Sequence, residues 1–317
     1  MKMAAVLLIA YLTGGATDAL AAPCPCSDFF VGDPAPFIAE GIARDTVSGR
    51  VFVAGVASRR IVAIRDGKAR DFVRLPDDYS PFGVAVAKQT LWVTAAMVAQ
   101  GVGHDGPSAL IAFDLGGKII GTYPAPGEGR HALGDLTIAP DGAVYVSDGL
   151  DGSLYVLPPG GSALTRLGPQ KLFKSPQGMA VSADGKSLLV VDYALGLTKL
   201  DLATAAFTPL KILDGVNVKG IDGLARLPDG SFLASQNGTK QPHILRLTLS
   251  PDWSELLSAD LIAADDAAVA DPSLVMADDS GAYVVGVSQW NSFGATQTPT
   301  KPLQPWRIVK LKLRPRS

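Results

Sequence analysis

Two carboxylates and a carboxamide, Glu40, Asp222 and Gln177, each stand immediately before a glycine, in the pairs Glu40-Gly41, Gln177-Gly178 and Asp222-Gly223. Side chains of this kind present hard oxygen donors. They suit Ca²⁺ or Mg²⁺, and less selectively Zn²⁺ or Mn²⁺. A carboxylate beside such an ion can also take a proton from water. The three pairs lie far apart in the chain, so only a fold that returns repeatedly to one axis can bring them together.

The sequence has such a repeat. The stretch 220–237, GIDGLARLPDGSFLASQN, combines an Asp-Gly entry, a short apolar strand, a Pro-Asp-Gly turn and a second strand with a polar end. Five further copies begin near Glu40, Phe82, Gly134, Gln177 and Pro272. Their anchors are Gly41, Gly83, Asp135, Gly178, Gly223 and Ser273, spaced by 42, 52, 43, 45 and 50 residues. A period of this size in an all-β pattern is the signature of propeller blades. Each copy is followed by a third strand: RRIVAI, SALIAF, GSLYVL, GLTKLDL, HILRLTL and WRIVKLKL. Fourth strands follow in most copies (ARDFVRL, FTPLKIL), but the chain stops soon after the sixth copy's third. The expectation is therefore an all-β, six-bladed β-propeller, a single domain over 22–317. Phe29-Phe30-Val31 supplies the outer strand of the last blade and closes the ring, because an open ring would leave sheet edges bare. The Asp-Gly pairs at 141, 184 and 229 are read as turn formers. Beyond the first residues, the one short helical turn expected is at Asp252 to Leu257.

In a propeller, residues just before the inner strands crowd around one mouth of the central channel. That position holds Glu40, Phe82, Gly134, Gln177, Asp222 and Pro272. Asp135 and Asp148 are nearby carboxylates that can complete a ligand set or meet a substrate. Of the three histidines, His131 precedes the third inner strand and is a candidate base or substrate contact. His104 sits in the Gly-rich loop GVGHDG, where it can overhang the channel, and His243 opens a third strand and reads as structural. The run VSQWNSF leaves the sixth blade's second strand with Gln289 and Trp290 as candidate pocket-wall residues. No Gly-x-Ser-x-Gly elbow is present, and the Pro158-Pro159-Gly160-Gly161 turn does not lead into a helix, so neither a serine triad nor a phosphate loop is supported.

At these residues the chain resembles the six-bladed propeller family of gluconolactonases, senescence marker protein and luciferin-regenerating enzyme, with paraoxonases as more distant relatives. The resemblance spans essentially the whole of 22–317. It implies a Glu-Gly, an Asn-Asp, an Asn-Gly and an Asp-Gly placing side chains around one divalent metal, with the aspartate as general base and a lactone carbonyl polarised by the metal. Glu40-Gly41 and Asp222-Gly223 match, and Gln177-Gly178 matches with one extra methylene. Gly134-Asp135 departs from the pattern, because a glycine stands where the family has Asn. The function expected is a metal-dependent lactone or ester hydrolase. The alternative is a non-catalytic secreted propeller that binds a small molecule or protein at the channel mouth, and a metal-free synthase or lyase on the same fold is a weaker third.

Composition sets the outer bounds. The 317 residues are 47% hydrophobic and 18% charged, enough for a large core. A net charge of -2 gives no basic footprint, which excludes nucleic acid as the expected partner and leaves a small molecule, with the chain a monomer. Lys2, the apolar run Ala4 to Leu12 and Ala19-Leu20-Ala21 read as an export signal over 1–21, too short in its apolar part to span a bilayer. The protein is accordingly expected to be secreted or periplasmic. Cys24 and Cys26 flank Pro25. A bond across one residue would be strained, so the pair is expected to belong to a mobile N-terminus rather than to act as a staple.

Overall fold

The computed structural model describes residues 23–76, 79–97, 106–294 and 298–313; the export signal and His104 lie outside the described residues. Six four-stranded antiparallel sheets follow one another along the chain. Their inner strands are Ala39–Arg44, Ser80–Ala87, Leu133–Ile138, Pro176–Val181, Ile221–Arg226 and Val275–Asp278. Each inner strand packs beside the next, and the sixth packs on the first, so they ring a central axis. The strand Cys26–Val31 pairs antiparallel with Arg307–Leu311 and closes the ring as expected. The last blade thus joins strands from near both ends of the described residues.

Burial follows the sheet order. The second strands, such as VFVAG at 51–55, are buried at every residue because neighbouring blades cover both faces. The outer strand KARDFVR at 68–74 is mostly exposed. Apolar side chains from adjacent blades merge into six interface clusters, for example Phe52, Ile61, Val93 and Phe113 between blades 1 and 2. Another joins Phe37, Val53, Val285 and Trp306 between blades 6 and 1.

Two local expectations are corrected. Cys24 and Cys26 are bonded to each other, and the segment is held in place: Cys24 N donates to Asp266 Oδ2 at 2.9 Å and Lys312 N to the Pro25 carbonyl at 2.7 Å. Pairing with the sixth blade supplies the anchorage that the local sequence lacks. The segment 252–257 is not helical. Ser250 and Asp252 side chains take the Ser254 and Glu255 amides in a turn, and a strand begins at Leu256. Short helical turns occur instead at Ala267–Val269 and Trp290–Ser292.

Candidate functional site

Five of the residues singled out ahead of the anchors, Glu40, Phe82, Gly134, Gln177 and Asp222, lie inside the inner strands, and Pro272 precedes its own. In blades 1 to 5 the pairing between inner and second strand slips here, between Ala39 and Ile42, Pro81 and Val84, Leu133 and Leu136, Pro176 and Met179, and Ile221 and Leu224. Each slip is a β-bulge that frees a dipeptide from the ladder and re-aims its side chains. Hydroxyls on the second strands take up freed backbone groups. Thr94 Oγ1 accepts from Gly83 N at 2.8 Å and donates to the Gly134 carbonyl of the next blade at 2.7 Å. Ser235 accepts from Gly223 N at 2.9 Å and donates to the Ser273 carbonyl. The glycines are needed because the strands converge: a Cβ on Gly41 would lie 2.3 Å from the Phe82 carbonyl oxygen, and one on Gly178 2.6 Å from Leu224 N.

These bulges face a cavity of about 510 Å³ at one end of the channel, lined among others by Glu40, Phe82, Asp135, Gln177, Tyr193, Asp222, Asn237, Asp271, Trp290 and Asn291. Among the described residues its wall carries no Lys, Arg or His. Three of its carboxyls are sparsely bonded, Glu40 and Asp222 buried and Asp135 half-buried. Glu40 accepts from Trp290 Nε1 at 2.5 Å, with the Ser273 hydroxyl also beside it. Asp222 Oδ2 accepts from Asn237 Nδ2 at 2.7 Å, and Asn237 is itself fixed by the Tyr193 hydroxyl and the Pro272 carbonyl. Asp135 Oδ1 accepts only the amide of Leu136, at 2.8 Å. Burial holds all three above the usual carboxylate range, Asp135 at about 7 and Asp222 at about 6, with the charge of Asp222 adding to the rise of Glu40 and Asp135. Buried anions without a counter-cation are costly, and a divalent cation relieves that cost. The donor set therefore fits one.

The same geometry limits how many ligands bind directly. Oxygens on one Ca²⁺ lie no more than about 5 Å apart, given contacts of 2.3–2.6 Å. Among the described residues, the only three Asp, Glu, His or Cys side chains with ligand atoms all within 4.8 Å of one another are His131, Asp148 and Asp151. Glu40, Asp135 and Asp222 are thus more widely set than that cluster. Gln177 bears on the gap left by Gly134. A Cβ on Gly134 would lie 3.8 Å from Gln177 Oε1, so the Gln177 amide borders the space beside that glycine.

His131, Asp148 and Asp151 form a second, separate cluster, a possible metal site by ligand type and distance. His131 Nδ1 is 2.6 Å from Asp148 Oδ2, while Asp148 Oδ1 accepts the amides of Ala132, Leu150 and Asp151. Asp151 accepts from Ser153, Tyr155 and Gln170. Asp148 and Asp151 thus accept more hydrogen bonds than the carboxyls of the cavity.

Two expected substrate contacts are corrected. Asp148 ends its second strand, Gln289 follows its own by two residues, and neither lines the cavity. Gln289 Oε1 accepts from Phe37 N and Ile38 N, and its Nε2 donates to the carbonyls of Ala35 and Gln304. Asp192 and Gln236 do the same for blades 4 and 5: each bonds the backbone of the loop that enters its blade. Asp148, Asp192, Gln236 and Gln289 are therefore one repeated loop brace. The residue after each brace, Gly149, Tyr193, Asn237 and Trp290, lies just past its second strand and lines the cavity. That register would have found Tyr193 and Asn237 from the aligned copies. His131 is likewise buried against its brace and does not line the cavity, whereas Ala132 does. His243 bonds Gln236 and the Gln241 carbonyl, a structural role as expected.

No family model matches the chain, and no curated protein matches it in sequence. Solved structures do match in fold. A gluconolactonase from Xanthomonas campestris superposes with a TM-score of 0.63 at 17% identity, covering 92% of this chain and 97% of its own. The calcium-binding protein regucalcin from Agrobacterium tumefaciens gives 0.62 at 18% identity, with 93% and 99% covered. A virginiamycin B lyase from Staphylococcus aureus gives 0.59 at 14% identity, with 80% and 79% covered. The chain is a six-bladed β-propeller whose structural neighbours include propellers of gluconolactonase and regucalcin type.

Proposed function

We propose that this chain is an exported hydrolase of lactones or esters that works with one divalent cation. The observation that carries the reading is the set of three sparsely bonded carboxyls, Glu40, Asp135 and Asp222, around a cavity whose described wall offers no cationic side chain. Glu40 and Asp222, with Gln177 Oε1, are the residues that would hold the cation, and Asp135 lies beside them. Bound there, a divalent ion supplies Lewis acidity toward a substrate carbonyl. Asp222 takes the proton of the attacking water, held in orientation by the Tyr193–Asn237 chain of hydrogen bonds. Trp290 fixes Glu40, and the aromatic faces of Trp290, Tyr193 and Phe82 exclude bulk water from the wall.

Elemental analysis of the purified mature chain, followed by calcium, zinc and manganese titration of wild type and Asp222→Asn, tests the reading. Stoichiometric metal in the wild type, lost in the variant, together with hydrolysis of lactones or esters, is the expected result. No bound metal and no thermal shift with any cation would leave a binding propeller as the better account. The observation favouring that second reading is Gly134, which contributes no side chain where a fourth polar ligand is expected.

A further inference from the structure

The far ends of the inner strands ring a second cavity, of about 550 Å³, with a wall drawn from all six blades. Much of that wall is apolar, with Ile42, Val84, Ile138, Met179, Leu224 and Met276 among its residues. The titratable side chains that line it are Arg44, Asp135, Arg226 and Asp278. An apolar cavity with a few convergent polar groups is the usual form of a small-molecule site.

The repeat explains why one of these groups lacks a partner. Three residues past the anchors, the blades carry Arg44, Val86, Ile138, Val181, Arg226 and Met276, so only blades 1 and 5 place a cation here. Arg44 reaches back to the preceding blade, where its Nη1 donates to Asp278 Oδ2 at 3.2 Å. Asp278 stands five residues past its anchor. The same position in blade 4, which precedes Arg226, is Ala183, and Ala183 lines the cavity as well. Arg44 and Arg226 occupy equivalent places in their blades. Each ends an inner strand opposite the first residue of the second, Val51 and Phe232. Their guanidinium groups also lie alike against their own hairpins: a Cβ on Gly49 would be 3.9 Å from Arg44 Nη2, and one on Gly230 3.6 Å from Arg226 Nη2. Blade 4 thus offers a methyl group where blade 6 offers a carboxylate. Among the described residues Arg226 has no hydrogen bond or ion pair, and its Nε is buried without a partner.

No neighbouring carboxylate supplies the missing charge. Asp278 is taken by Arg44 and Ser280. Asp135 lines both cavities, and burial holds it toward its neutral form. Asp184 of blade 4 is bound by Ser182 and Lys186, and Asp229 of blade 5 by Ser231 and Arg246. A partly buried guanidinium without an acceptor is costly, and a carboxylate relieves the cost through charge-assisted hydrogen bonds.

We infer that this second cavity is a binding site for a small carboxylic acid with an apolar body. Its carboxylate takes, over Ala183, the place that Asp278 takes beside Arg44, and its apolar part lies against Met179, Leu224 and Met276. The site is independent of the cation and of the hydrolysis proposed for the first cavity.

Calorimetric titration in EDTA tests it, with hexanoate as the probe and hexanamide as its uncharged counterpart, into wild type, Arg226→Gln and Ala183→Asp. Ala183 is exposed, so the second substitution disturbs no packing. One saturable site for hexanoate is expected in wild type, with hexanamide weaker by about tenfold or more, the difference between hydrogen bonds to a charged and to a neutral group. Arg226→Gln removes the preference for the acid. Ala183→Asp supplies the carboxylate from within the chain, so it blocks hexanoate and raises the melting temperature of the free protein, a rise that disappears when Arg226→Gln is added. Absence of saturable binding in wild type, equal affinity for acid and amide, or a hexanoate affinity unchanged in either variant would overturn the inference. Binding that survives both substitutions would place the acid in the first cavity instead.

Discussion

Replacing Asp135 by Asn should stabilise the metal-free protein at high pH and do nothing at low pH. Desolvation raises this carboxyl from 3.8 to about 7 and the charge of Asp222 adds to the rise, while its one hydrogen bond, from Leu136 N, opposes it. A carboxyl whose value is raised on folding favours the folded state in its neutral form. Its contribution is fully present below the unfolded value near 3.8 and is lost as pH rises through about 7. At 1.36 kcal/mol per pH unit, ionising it in the fold costs on the order of 4 kcal/mol at pH 8. Asparagine stays neutral, keeps an oxygen for the Leu136 amide and can donate toward Asp222. Thermal melts of wild type and Asp135→Asn in EDTA, from pH 3 to pH 8, should therefore start together and diverge. At about 2 °C per kcal/mol for a chain of this size, the gap at pH 8 is roughly 8 °C. Calcium at a hundredfold excess over its dissociation constant should add about 2.7 kcal/mol to the wild type at pH 8, and much less at pH 4, where the carboxyls are protonated. A gap independent of pH, or a variant less stable than wild type at pH 8 in EDTA, would refute the claim that an uncompensated charge sits at this position.

Two other substitutions separate framework from site. Gln289→Leu leaves the Phe37 and Ile38 amides without their acceptor and frees Ile38, a β-branched residue held at φ 49°, so it should cost about 2–4 kcal/mol in urea unfolding. Gly41→Ala places a methyl group against the backbone of blade 2 and should cost about 2–4 kcal/mol, with strongly reduced cation binding because Glu40 shares the displaced bulge; calorimetry on the folded fraction reads the second effect.

The ring closure and the blade count were legible in the sequence because each copy carries its own turn chemistry and strand pattern. Local signals of that kind survive in one dimension. Phe29-Phe30-Val31 could be placed in the last blade because the sixth copy lacked a strand and a ring tolerates no open edge. The grouping of Glu40, Gln177 and Asp222 on one cavity also followed from the repeat. The register of the second-strand ends did not. Asp148 and Gln289 carry the polar groups that suggest substrate contact, yet their loop backbones claim them, and the residue after each brace faces the cavity instead.

What the sequence by itself determined is the set of units: six copies, their turns, and the dipeptide ahead of or at each anchor, which carries a carboxylate or carboxamide in blades 1, 3, 4 and 5. Only the tertiary structure decided which polar groups remain unsatisfied. Backbone from distant segments supplies donors to Asp148 and Gln289, and the sixth blade supplies an anchor for Cys24 and Cys26. Glu40, Asp135 and Asp222 are left with few donors in a buried cavity that offers no described cation. Hydrogen-bond satisfaction depends on neighbours brought together from far along the chain, so a residue's type states what it can bind and the packed structure states what is left for it to bind.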